Sequence, residues 1–326
     1  MNRPLIFCCQ VSQPQANRPL PPLQCSMIGE ETGNTMNSSS QENSRTSILK
    51  MTAAMMIFGT VGIFRRVIPL SSALLSCLRG LTGALFLFLY VRMRRHTISP
   101  PADAKAKLSF IVSGCLIGLN WMFLFEAYRF TSVPVATLCY YTQPVIVILL
   151  SPLLFHEKLT VRKILCIIFA AAGMGLVTGI HPEGNSLRGI LYGLAAACLY
   201  AGVVIFNKKA PPADAYEKTI LQLFSAGMVM VPYLLFTDGF KMPAMDLRTA
   251  VLTAVVCLVH TGIAYLFYFD SMKELRAQTI AVMGYIDPVS ALLLSAVILQ
   301  EPLTPLSFLG AAMIITAALT AELSER

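Results

Sequence analysis

Apolar residues gather into ten runs along this chain: Met51–Phe64, Val67–Val91, Leu108–Phe125, Val133–Phe155, Ile164–Ile180, Gly189–Phe206, Thr219–Thr237, Thr249–Phe269, Ala277–Gln300 and Leu303–Ala321. Charge is almost absent inside them, since only Arg79 interrupts the second run and Asp287 the ninth. The runs are apolar on every side, without the two-residue alternation of a barrel strand, so they predict helices. Most reach the ~17–25 residues that a helix needs to cross ~30 Å of hydrocarbon. The pattern predicts an all-α membrane protein with ten transmembrane helices. The first run is the shortest, and it crosses only if Lys50, Arg65 and Arg66 snorkel to the two interfaces.

The pattern also repeats. Shifting Tyr141–Thr160 by 144 residues lays it on Tyr285–Thr304, with Tyr141/Tyr285, Pro144/Pro288, Leu149/Leu293, Ser151/Ser295, Glu157/Glu301 and Thr160/Thr304 in register. Each copy holds five runs, and an odd number of crossings forces the second copy to enter the bilayer upside down. The loop after the fourth run agrees: His156–Lys163 carries three basic residues, whereas its counterpart Gln300–Ser307 carries none. Residues 47–182 therefore form a first five-helix repeat and residues 183–322 a second, inverted one. Residues 1–46 are rich in Pro, Ser, Asn and Gln and are expected to form a disordered cytoplasmic tail.

Composition sharpens this picture. Hydrophobic residues make up 56% of the chain and charged residues 13%, against roughly 45–50% and 25% in soluble proteins. With the N-terminus in the cytoplasm, eighteen Lys and Arg fall in inside segments and six (Arg65, Arg66, Arg129, Arg188, Lys241, Arg248) in outside ones. That bias puts both termini inside a multi-pass plasma (inner) membrane protein. It also explains the net charge of +8 without nucleic acid. No cofactor motif, metal-ligand spacing or ATP-binding motif occurs, and one Asp and one His on different helices do not make an enzyme site.

The passage Ala127-Tyr-Arg-Phe-Thr-Ser-Val-Pro-Val-Ala-Thr137, then Gln143-Pro144, Glu157-Lys-Leu-Thr160 and Ala171-Ala-Gly173, resembles the EamA module of the drug/metabolite transporter superfamily. Asp287-Pro288 and Glu301-Pro-Leu-Thr304 repeat it, so the resemblance covers roughly residues 47–322. It implies a ten-helix bundle with cytoplasmic termini and a cavity between helices 1, 3, 4, 6, 8 and 9. It further implies alternating access for small organic metabolites, amino-acid-like or amphipathic, with efflux favoured. The alternative within the superfamily is an exchanger of phosphorylated sugars or nucleotide sugars. That ligand demands several cavity cations, and only Arg79 qualifies.

Candidate site residues follow from polarity at membrane depth. Arg79, thirteenth of 25 residues in its run, sits near the midplane, where an Arg costs at least ~2.5–3.5 kcal/mol. Either it anchors a substrate carboxylate or phosphate, or it bonds to helix-end carbonyls. Asp287 precedes Pro288, and Gln143 precedes Pro144 at the matching place in the first copy. Each proline breaks its helix and frees a carbonyl in the preceding turn. Asp287 is the candidate to carry a coupling proton, or it pairs statically with Arg79. Thr137, Tyr140, Tyr141 and Pro144 share one stripe, matched by Ala281, Gly284, Tyr285 and Pro288 in the second copy. Asn120, Trp121, His260, Thr261 and Tyr265 add polar candidates, and Gly114/Gly118 and Gly189/Gly193 allow close helix contact.

Overall fold

The computed structural model describes residues 32–94, 103–155, 160–179, 186–211, 213–237, 246–275, 277–301 and 304–324. Residues 1–31 of the predicted tail, and Glu157 with its loop, lie outside them. The described residues are helical and contain no strand: α1 (Thr32–Gly59), α2 (Val61–Val67), α3 (Ser72–Met93), α4 (Ala104–Phe130), α5 (Val133–Tyr140), α6 (Gln143–Phe155), α7 (Val161–Gly179), α8 (Leu187–Lys209), α9 (Ala215–Met228), α10 (Met230–Thr237) and α11 (Leu247–Val255). A π-helical segment, Val256–Ile263, leads on to α12 (Ala264–Glu274), α13 (Ala277–Gly284), α14 (Ile286–Ile298) and α15 (Pro305–Ser324).

Contacts divide the chain into Met1–Gln41 and Glu42–Arg326. In the first unit, the described residues 32–41 are helical. Those residues fall within the segment that composition assigns to the tail. Once a helix is nucleated, each further residue adds a backbone hydrogen bond, and polar residues can be carried along. Everything below concerns the second unit.

Short polar residues set six of the helix starts among the described residues. The side chains of Ser71, Asp103, Ser132, Ser186, Asp214 and Asp246 each accept a backbone N–H from the first turn of the helix that follows. Seven helical stretches are long and apolar enough to span a membrane: Arg45–Val67, Ser72–Met93, Ala104–Phe130, Val133–Leu150, Leu187–Lys209, Ala215–Thr237 and Leu247–Ser271. Ile164–Gly173, Ile286–Ile298 and Phe308–Ala317 are shorter apolar helices. The first stretch reaches 23 residues because it runs past both ends of the run Met51–Phe64. Snorkelling is not how Arg65 is accommodated: it is 4% exposed and bonded within the protein.

Large apolar side chains cover the outside of the bundle. Leu153, Phe236 and Val297 are at least three-quarters exposed, as a lipid-facing surface requires. Inside, Leu74, Leu87, Phe125, Ala196 and Leu223 form the main core, while Val145, Ile148, Cys166, Ala170 and Ala317 form a second cluster. Helix α4 packs along α8 and α9, α3 along α9, and α7 along α15. Gly114 and Gly118 let α4 approach the α9 backbone at Gln222 and Ala226, where any Cβ would collide. Gly59 does the same for α14, since a Cβ there would stand 2.7 Å from the Asp287 carbonyl.

Candidate functional site

Arg79 lies two turns into α3, the eighth of its 22 residues, closer to the middle of the helix than to its start. The Ser71 cap begins the helix at Ser72, and Val67 belongs to α2, so the span is shorter at this end than the apolar run. The guanidinium is buried, with Nε donating to Thr261 Oγ1 at 3.0 Å and Cζ stacked 4.3 Å from the Trp121 ring and 5.4 Å from Phe125. Thr261 belongs to the π-helical segment, and such single-turn irregularities recur at functional sites. No carboxylate pairs with Arg79 among the described residues. The static Arg79–Asp287 pair allowed by the sequence is not formed.

Asp287 instead accepts the Tyr141 hydroxyl at 2.7 Å. Both residues stand where a helix is interrupted. One interruption lies between α5, which stops at Tyr140, and α6, which starts at Gln143 just before Pro144; the other lies between α13, which stops at Gly284, and α14, which starts at Ile286 with Pro288 in its first turn. The Tyr141 ring packs against those of Tyr140 and Tyr285, with centroids 5.5 and 6.2 Å away, and Tyr140 meets Tyr200 at 5.5 Å. Tyr128, Tyr140 and Tyr265 lie within electrostatic reach of Arg79, and Tyr128, Tyr140 and Tyr141 within reach of Asp287.

Tyr140, Tyr141, Tyr265 and Asp287 sit deep in the bundle, yet each keeps part of its surface accessible. Gly284 borders open space, because a Cβ added there meets nothing within 4 Å. Gln143 is half-buried, and its Oε1 lacks a partner.

The other predicted residues divide between this cluster and the packing around it. Asn120 donates to the Ala196 carbonyl at 2.6 Å, leaving its Oδ1 buried and unbonded. That bond joins α4 to α8. His260 Nε2 is 2.8 Å from Thr60 Oγ1 at the α1/α2 break, and its ring meets Phe64 edge-on. Tyr265 stacks edge-on with Phe58. Thr137 is 3.2 Å from the Tyr128 hydroxyl. Sequence reasoning passed over Tyr128 and Tyr200. Tyr128 follows Trp121 by seven residues on the same face of α4, a spacing that was available; nothing local distinguishes Tyr200.

Buried polar groups at two interrupted helices, in a bundle with an apolar exterior, are what a membrane transport protein requires. The chain belongs to the EamA-like transporter family, whose profile matches residues 45–179 and again residues 187–321. An uncharacterized transporter of Bacillus subtilis, YxxF, is 29% identical over 79% of this chain and 83% of its own. Protein PecM of Dickeya dadantii is 28% identical over 68% and 75%. A probable amino-acid metabolite efflux pump of Escherichia coli is 27% identical over 60% and 70%. A solved crystal structure superposes with a TM-score of 0.58 at 17% identity, covering 86% of this chain and 97% of its own, a likeness of fold alone.

Proposed function

We infer that this chain is a secondary transporter of small organic metabolites that carry a carboxylate. It is built as two inverted five-helix repeats with ten crossings and cytoplasmic termini in the plasma membrane, and it works by alternating access. The observation that carries the substrate class is Arg79, a buried guanidinium with no acidic partner among the described residues, stacked on Trp121 and Phe125 beside a cluster of tyrosines. A buried cation in that state is completed by an incoming anion, and a planar fork suits a carboxylate. The rings Tyr140, Tyr141 and Tyr285 supply apolar contact with a few polar handles, which suits an amphipathic, amino-acid-like ligand. Efflux is favoured, in keeping with the name of the Escherichia coli relative, a probable amino-acid metabolite efflux pump. A sugar phosphate is disfavoured, because Arg79 supplies the one guanidinium of the cluster.

In this reading, Asp287 carries the coupling proton. It stands at a helix break, held by one hydroxyl, where ionisable residues of transporters form proton relays. The test is counterflow in proteoliposomes over a panel of amino acids and organic acids. Arg79→Gln should abolish exchange of the carboxylate that the wild type moves, and Arg79→Lys should restore only part of it, because an ammonium lacks the fork. Wild-type exchange by a folded Arg79→Gln protein would overturn the assignment.

A further inference from the structure

Away from the Arg79 cluster, the turn between α2 and α3 and the end of α4 enclose a pocket of about 480 Å³ lined by Arg65, Arg66, Arg129, Ser71 and the apolar turn 68–70. Three guanidiniums meet there, and two have acidic partners. Arg129 Nη1 donates to both Glu126 oxygens at 3.1 and 3.2 Å, and Arg66 Nη2 to Glu301 Oε1 at 3.0 Å. Arg65 has none. Its Nη1 donates to the Ile68 carbonyl at 2.8 Å and its Nη2 to Ser72 Oγ at 3.0 Å, both neutral acceptors, and its Nε is buried without any acceptor.

A guanidinium that is only 4% exposed is here bonded to neutral groups alone, so no carboxylate neutralises it by direct contact. The like charge of Arg129 acts on it more strongly than the opposite charge of Glu126. Three cations against two carboxylates leave the pocket one negative charge short, and its volume leaves room for the group that would supply it. We propose that this pocket is a second binding site, distinct from Arg79, for a single oxyanion group: a carboxylate or phosphate, borne either by a free solute or by an anionic lipid headgroup. Ser72 and Ser76 continue the polar stripe from Arg65 along α3 to Arg79, and Ser76 Oγ is itself buried and unbonded. At 1.5 Å of rise per residue, Ser72 and Arg79 lie about 10 Å apart along the helix.

Binding can be measured without transport, so the two readings fail separately. The full chain is placed in phosphatidylcholine nanodiscs, and its unfolding temperature is followed while inorganic phosphate replaces chloride at constant ionic strength. A second arm holds phosphate at zero and replaces part of the lipid with phosphatidylglycerol. A saturable rise in the first arm identifies a soluble oxyanion, and one in the second alone identifies a headgroup; either supports the site. Arg65→Gln should weaken half-saturation roughly tenfold, the scale of one lost charge-assisted hydrogen bond. Should that buried change prevent folding, Arg129→Gln, at a half-exposed side chain, should weaken it in the same direction. No saturable rise in either arm, or one unchanged in the folded variants, overturns the proposal.

Discussion

Arg79 and Asp287 are opposite charges on the walls of one polar cluster, and neither neutralises the other. Arg79 is held by a hydroxyl and two aromatic faces, and Asp287 by the Tyr141 hydroxyl. In the proposed function, Arg79 takes an anion and Asp287 a proton. This separates two consequences of Asp287→Asn. A protein that has lost its coupling proton should fail to accumulate substrate against a gradient while still exchanging it down one. No guanidinium is stranded by the change, so the unfolding temperature should stay near that of the wild type. Tyr141→Phe, which removes the hydroxyl donor, should displace the pH midpoint of uptake and leave exchange at saturating substrate intact. Gradient-driven accumulation at wild-type level in Asp287→Asn would remove Asp287 from the coupling role.

Interrupted helices position these residues, and only some of the interruptions were legible. Pro144 and Pro288, repeated 144 residues apart, announce breaks in the fourth and ninth spans, because a proline ring cannot continue the hydrogen-bond ladder. The break at Thr60 and the π-helical segment at Val256–Ile263 carry no such residue. They arise where side chains from other helices fix the backbone: Thr60 faces His260, and Thr261 faces Arg79. A single sequence holds no record of those pairings. Helix starts were more readable, as at Asp246, which caps α11 through the Thr249 N–H at 3.0 Å. Hydrogen bonds from the Thr249 hydroxyl and backbone hold its carboxyl below the ordinary value of 3.8. With the folded value depressed, the charge stabilises the cap fully above the ordinary value, and that stabilisation disappears as pH falls through the lowered one. Amide exchange in the first turn of α11 should therefore be slower in the wild type than in Asp246→Asn at neutral pH, and the two should converge in strong acid. A constant ratio across that range would show that the charge contributes nothing.

Across the whole molecule, hydropathy and the internal repeat reveal a helical membrane bundle, whereas the contacts that tie one repeat to the other emerge only in three dimensions. Two ties stand out. At one end Glu301 accepts Arg66 Nη2 at 3.0 Å and the Val133 N–H at 3.1 and 3.2 Å. It thereby joins the second repeat to the start of α5 in the first. Its neighbour Gln300 adopts a left-handed φ of 54°, a conformation that a non-glycine residue keeps only when its surroundings impose it. Burial holds the Glu301 carboxyl above its ordinary value, against the pull of Arg66. The second tie links Lys50 to Asp270 at 3.5 Å, with the Tyr216 hydroxyl donating to the other Asp270 oxygen at 2.8 Å. Its acidic partner is more exposed, at 25% against 13% for Glu301, and its ion pair is longer, so solvent screens it more and it is the weaker of the two. Alternating access requires these ties to open in turn. In the proposed topology the Glu301 tie faces away from the cytoplasm and the Asp270 tie faces it. A Gly284→Cys reporter, placed at the open space beside that residue in a chain whose native cysteines are replaced by alanine, reads which end is open. Glu301→Ala should increase its labelling by a membrane-impermeant maleimide added from outside, and Asp270→Ala should increase labelling from the cytoplasmic side of inverted vesicles. Because the Glu301 tie is the stronger, its removal should shift the balance further. Labelling that rises equally from both sides in either variant, or in neither, would show that these contacts fasten the bundle without gating it.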